Sequence, residues 1–217
     1  MFIRYIYELI LPAFIDTLKM IGITMLISTI LGGLTGMIMV LSHPQGLKPN
    51  RRVYRILSFI VNTIRSLPFI LLVVILAPLT RLINGSIVGI YAAIIPMSIG
   101  GIPMVAKLLE NEFLSVREEV IEAAQSYGST KYQIFFYVIL KESVPGIINS
   151  LTLATISCVG ATAMAGAVGA GGLGSAALNQ GFYSYNNVVL YTSVLCIILI
   201  IAVIQGLGNF LYKTSLR

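Results

Sequence analysis

Glycine spacing, thiols and carboxylates are where this sequence could hold chemistry. Gly169-Ala-Gly-Gly-Leu-Gly174 fits G-x-G-x-x-G, the turn that seats a dinucleotide pyrophosphate at a helix N-terminus. That fingerprint needs a strand before it and an acidic residue about 20 positions after it for the ribose. Here an apolar run precedes it, and no Asp or Glu follows at that distance, so the dinucleotide reading fails. It is no phosphate-cradling P-loop either, because Ser175 follows Gly174 with no lysine between them. Cys158 and Cys196 stand in separate apolar runs with no CxxC and no Cys/His cluster. They read as small buried hydrophobes, and no metal site is expected.

The elements that would position any of these groups are membrane spans. The 217 residues are 57% hydrophobic and 10% charged, with mean hydropathy +0.94, whereas soluble domains are about a quarter charged. Met20–Leu41, Leu67–Leu79, Ile87–Ala106, Val144–Ala165 and Val188–Tyr212 contain no Asp, Glu, Lys, Arg or His. A spanning helix takes about 20 apolar residues, and four of these runs approach or exceed that length. The fifth, from Leu67, continues a helical pattern that begins upstream. The first run is too long and too late for a cleavable signal, and no small-x-small site follows it.

Lys48, Arg51, Arg52 and Arg55 mark the first loop as cytoplasmic, and Lys107, Arg117, Lys131 and Lys141 mark the third. The loop from Thr80 to Ser86 has only Arg81, the segment from Gly166 to Asn187 has no charge, and the tail ends in Lys213 and Arg217. The alternation predicts five spans, amino terminus outside and carboxyl terminus inside, in one transmembrane domain over 1–217. Arg4 and Lys19 weigh against that orientation. The net charge of +6 then belongs to the positive-inside rule, and no nucleic-acid partner is expected.

Within the second span, Val53, Ile56, Leu57, Ile60, Val61 and Ile64 recur at helical spacing, and Pro68 opens the apolar stretch. This predicts an amphipathic helix leading into a span, with Arg65 either facing a wet cavity or snorkelling to the interface. Gly32, Gly33, Gly36, Gly100 and Gly101 suit close helix packing in lipid.

The cytoplasmic segment 115–133 predicts a short helix, a glycine break and a second helix. Ser115 with Glu118 has the spacing of a capping box, and so has Thr130 with Gln133. Val116, Val120, Ala124 and Tyr127 fall on one face; Glu118, Glu119, Glu122 and Gln125 on the other. Gly128 is placed at C′, where the chain turns left-handed. Physics alone leaves two readings open, a solvated loop helix or a docking surface made approachable by the small Ala123 and Ala124.

Glu122-Ala-Ala-Gln-Ser-Tyr-Gly128 resembles the E-A-A-x-x-x-G core of permeases of ATP-binding-cassette importers. Val138 and Lys141 stand where that pattern has isoleucine and proline, with Pro145 in reserve for the latter. With Asn62-Thr-Ile-Arg-Ser-Leu-Pro-Phe69 and Gly166-Ala-Val-Gly-Ala-Gly-Gly-Leu-Gly174 in the same order, the chain is similar to the methionine-import branch. The resemblance implies an all-α type I importer permease of five spans with a cytoplasmic coupling helix, in the cytoplasmic membrane of a bacterium. It implies a homodimer, two copies of an ATPase that carry ATP and Mg, and an external binding (lipo)protein that delivers methionine. No cofactor and no catalytic residue is then expected in this chain. Glu122, Ala123, Ala124 and Gly128 would couple to the ATPase. Irregular backbone near the bilayer surface must be covered or line a cavity, so Gly166, Gly169, Gly171 and Gly172 are read as a flexible external mouth. Met164 just before them is either a gate at a two-fold axis or a filler of an internal gap.

An ion-coupled secondary transporter is the rival. Such proteins relay charge through intramembrane carboxylates or histidines, and the five charge-free runs have none. Active transport without an ion relay and without a P-loop needs energy from another chain. A permease for another amino acid or small polar nutrient remains the alternative to methionine.

Overall fold

The computed structural model describes residues 6–216, and every regular element among them is helical. Arg4 and Arg217, two charges in the orientation argument, lie outside the described residues. Helix α1 runs from Ile6 to Ser42, with π-wound first turns over Ile6–Ile10. Then follow α2 (Arg51–Ser66), α3 (Phe69–Ile75), α4 (Ala77–Asn84) and α5 (Ile90–Leu114). Helix α6 is Glu118–Ser126. Helix α7 covers 131–142, two short α turns around a π-wound stretch at Ile134–Ile139. Helix α8 is Val144–Ala167, α9 is Gly172–Ser175 with π turns Ala176–Phe182 behind it, and α10 is Asn187–Ser215.

Four helices, α1, α5, α8 and α10, are long and apolar enough to cross a membrane. The fifth candidate is the α2–α3 pair, which is bent by 105°. The cause is local. Leu67 precedes Pro68, which pushes it out of the helical region, and it sits at φ −79°, ψ 130°. Pro68 adds no N–H to continue the ladder. The second span is therefore a broken one, with the amphipathic α2 packed on α1 and α5 through Val61, Met39 and Ala106. The Asn50 side chain caps α2, accepting from the Arg52 and Val53 N–H groups at 3.2 Å each.

Helices α1 and α5 form the most extensive pair, and small residues make it possible. A Cβ added at Gly32 would lie 2.7 Å from the Ile102 carbonyl oxygen, and one at Gly36 would lie 2.8 Å from that of Ala106. Backbone meets backbone along this seam, the close approach by which helices associate in lipid. Pro96 and Pro103 lie within α5, a placement that membrane helices tolerate because neighbours re-satisfy the freed carbonyls.

Two apolar cores sit at opposite ends of the bundle. One joins Met20, Ile94, Val159 and Leu173; the other joins Val40, Leu109, Phe113, Phe135 and Ile139. Lys19 pairs with Asp16 at 3.6 Å.

Candidate functional site

The cytoplasmic segment forms one exposed helix held from behind. Helix α6 presents Glu122 and Ala123 to solvent, while Ile121 and Ala124 pack with Val116 on the core made by Phe113, Phe135 and Ile139. Phe113 and Phe135 meet edge to face at 5.5 Å. Two expectations are corrected. Tyr127 is 90% exposed and Ile121 takes its place on the packed face, because the helix ends at Ser126 and the chain turns before Tyr127 can swing inward. Ser115 does not cap α6 either. It is the last residue of α5's C-terminal turn, donating to the Glu112 carbonyl at 2.7 Å, and Arg117 stands at the N-cap without a side-chain bond.

Gly128 closes α6 as expected, at φ +77°. Its N–H donates to the Gln125 carbonyl at 2.9 Å and the Ser129 N–H to the Ala124 carbonyl at 3.2 Å. These two bonds make a Schellman turn, which satisfies carbonyls the helix leaves open. The second capping box also forms: the Gln133 N–H donates to Thr130 Oγ1 and the Thr130 N–H to Gln133 Oε1. The break that Lys141 left undecided falls at Ser143, with Pro145 in the first turn of α8.

Behind α6 lies a clamp that sequence reading missed. The Glu112 side chain crosses from α5 to the start of α8, where Ser150 Oγ donates to its Oε1 at 2.7 Å. Ser143 Oγ donates to the Glu112 backbone carbonyl at 3.2 Å. The other carboxylate oxygen fills the space a side chain at Gly146 would need. An anion here also complements the N-terminal dipole of α8. A second buried group is Glu110, fully excluded from solvent and bonded to Lys107 at 2.7 Å. Tyr54 of α2 lies beside it, within reach of its charge. The only prior signal of either was a glutamate spacing at the end of an apolar run.

Between the two cores opens a cleft of about 430 Å³ bounded by α1, α2, α3, α5 and α8. Met164, half exposed, is on its wall, and so is Arg65, which places Arg65 in a cavity. The glycines after Met164 are not brought to the cleft. Gly166 is buried, where an added Cβ would lie 2.6 Å from the Gly174 carbonyl carbon. Gly172 is buried at φ +74°, where one would meet Thr17 Oγ1 at 2.7 Å. That hydroxyl accepts from the Leu173 N–H at 2.8 Å. Gly169 and Gly171 take φ +91° and +85°, and the Gly89 N–H donates to the Gly169 carbonyl at 3.0 Å. The expected flexible mouth is a close-packed turn, because hydrogen bonds and helix contacts consume the freedom that glycine offers.

Residues 28–215 match the family model described as binding-protein-dependent transport system inner membrane component. A probable D-methionine transport system permease protein of Vibrio cholerae is 40% identical over 206 residues, covering 95% of this chain and 92% of the relative. A methionine import system permease protein of Bacillus subtilis is 36% identical over 174 residues, covering 80% and 78%. A structure described as inward facing conformations of the MetNI methionine ABC transporter superposes with TM-score 0.94 at 35% identity, covering 98% of both chains.

Proposed function

The chain belongs to the family of binding-protein-dependent transport system inner membrane components, and from that premise we propose that it is the permease through which methionine enters the cytoplasm. ATP is hydrolysed with Mg on a partner subunit, and this chain contributes the path and the lever. The observation that carries the reading is α6: an exposed Glu122-Ala123 face on a helix whose inner side is locked to the spans. That is the form a transmitted push requires. Ala123 keeps the outer face low enough for a groove on the ATPase, Ala124 seats the inner face, and Gly128 sets the exit direction.

Two copies of the permease face each other, two ATPases dock below them, and an extracytoplasmic binding protein delivers substrate above. The amino terminus lies outside and the carboxyl terminus in the cytoplasm. Proteoliposomes with the permease, its ATPase and the binding protein are expected to accumulate radiolabelled methionine only when ATP is inside with the ATPase. Uptake driven by a proton gradient without ATP would favour the ion-coupled alternative. ATP-driven uptake of a different amino acid would move the substrate and leave the class standing.

Met164 forms the gate in this proposal. Its half-exposed thioether at the end of α8, between the small Ala163 and Ala165, suits an apolar plug that packs closed and then parts. In a two-fold dimer a residue on the axis meets its own copy. Met164→Cys is expected to cross-link to its twin under oxidant in the ATP-free complex, and Met164→Ala to leak substrate. Absence of that cross-link in an intact dimer places the gate elsewhere.

A further inference from the structure

The cleft has a composition that passage alone does not require. Four of the chain's eight methionines, Met25, Met97, Met104 and Met164, line it. One full charge, Arg65, enters the same space. Thr24 lines it as well: the residue is 2% exposed, and its buried Oγ1 has no hydrogen-bond partner among the described residues.

Depth decides how Arg65 is to be read. Thr24 stands near the midpoint of α1 (Ile6–Ser42). Gly100, Gly101 and Met104 lie around the middle of α5, and Ala154 and Ser157 around that of α8. Arg65, exposed at the end of α2 where the chain breaks at Pro68, lines the same cleft as all of these. No ion pair or hydrogen bond to it is found among the described residues. A charge in that cleft faces a polar path and requires a partner, and transporters place substrate near the midplane. A guanidinium binds a carboxylate through two parallel N–H donors. A volume of about 430 Å³ falls in the ~300–1,000 Å³ range of small-ligand sites.

We propose that this cleft is a transit site for the substrate within the membrane, in which Arg65 grips the carboxylate of an amino acid and the thioether wall receives its side chain. The assignment rests on the importer reading and deepens it. Flexible, polarisable Met25, Met97 and Met104 conform to an unbranched apolar side chain. Once the carboxylate leaves toward the cytoplasm, Arg65 stands again in the wet cleft.

The test uses the full complex, ATP-free, with a photoreactive diazirine analogue of methionine. Labelling is expected in peptides holding Met97 to Val105 and Ala154 to Met164. Excess methionine should suppress it, and methioninol, which lacks the carboxylate, should not. Arg65→Gln should lower labelling about tenfold or more, the effect of losing a charge-assisted bond, and Arg65→Lys should lie between, because it keeps charge without the fork. Co-purification of Arg65→Gln with the ATPase at the wild-type ratio and elution position shows that the variant assembles. Equal labelling in Arg65→Gln overturns the proposal, and so does an unlabelled cleft in the wild type. If Arg65 holds a lipid phosphate instead, withdrawing anionic lipid will bring wild-type labelling down to the variant's, which also overturns it. Failure of the wild type to import methionine is a separate result, and it would sink the importer reading itself.

Discussion

Gly128→Val is expected to lower methionine uptake about 5- to 30-fold while the permease still reaches the membrane. The residue sits at φ +77° with nothing within 4 Å of the place its Cβ would take, so space plays no part in the effect. The cost is that of a left-handed residue, roughly 1–2 kcal/mol and more for a branched side chain, which corresponds to that factor of about 5–30. To escape it, the chain must abandon the Schellman turn and leave α6 in another direction. The Gln125 and Ala124 carbonyls then lose their partners, and the Glu122-Ala123 face is misdirected relative to the ATPase. Gly128→Asn is the control, because asparagine tolerates the left-handed region. Uptake near the wild-type level is expected from it. If Gly128→Val transports as well as Gly128→Asn, the segment is a connector and carries no coupling.

Lys107→Met is expected to destabilise the permease by about 3–5 kcal/mol, because it strands a buried carboxylate. Glu110 is fully excluded from solvent, and its Oε1 accepts no hydrogen bond from the described residues. Its 2.7 Å bond to Lys107 is its main compensation. The measurement is the midpoint of thermal aggregation of the purified complex in detergent. Pairing Lys107→Met with Glu110→Leu removes the charge as well as its partner, and a buried pair replaced by apolar groups is often neutral. Most of the lost stability should therefore return in the double variant. Equal midpoints for the single and double variants would mean that the pair is solvated and that Tyr54, Lys107 and Glu110 do not fasten α2 to α5.

Both predictions fall on the end of the bundle that carries α6, where, on the proposed function, force from an ATPase would enter. Helix α6 rests on Phe113 and Phe135, and α5 reaches α8 through the Glu112–Ser150 bond. Displacing α6 therefore displaces the ends of two spans whose middles line the cleft. The Gly32–Gly36 seam binds α1 to α5 over the same length, so these helices are built to move as one body.

Features that depend on a few neighbouring residues were determined by the sequence itself. Charge-free runs announce the spans, because burying ionised groups in lipid is costly wherever they point. Pro68 announces the bend, Gly128 the end of α6 and Thr130–Gln133 the next cap, because each acts through backbone geometry within four residues. The E-A-A core singled out the same helix through its resemblance to a known family. Tertiary structure decided everything that rests on distant partners. Ser115 has the spacing of a cap for α6, and only the continuation of α5 to Leu114 turns it into the end of α5. Helical spacing puts Tyr127 on the packed face, and the position of the aromatic core behind α6 seats Ile121 there instead. The glycines after Met164 promise freedom in isolation. Gly166 and Gly172 are buried, and Leu173 beside them bonds to Thr17, 156 positions away. Arg65 is ambiguous as a residue on an amphipathic helix. It becomes a cleft residue when the break at Pro68, a bend of 105°, leaves the end of that helix beside α1, α5 and α8. No periodicity encodes that convergence, since period reports which face a residue takes and not which helix will meet it.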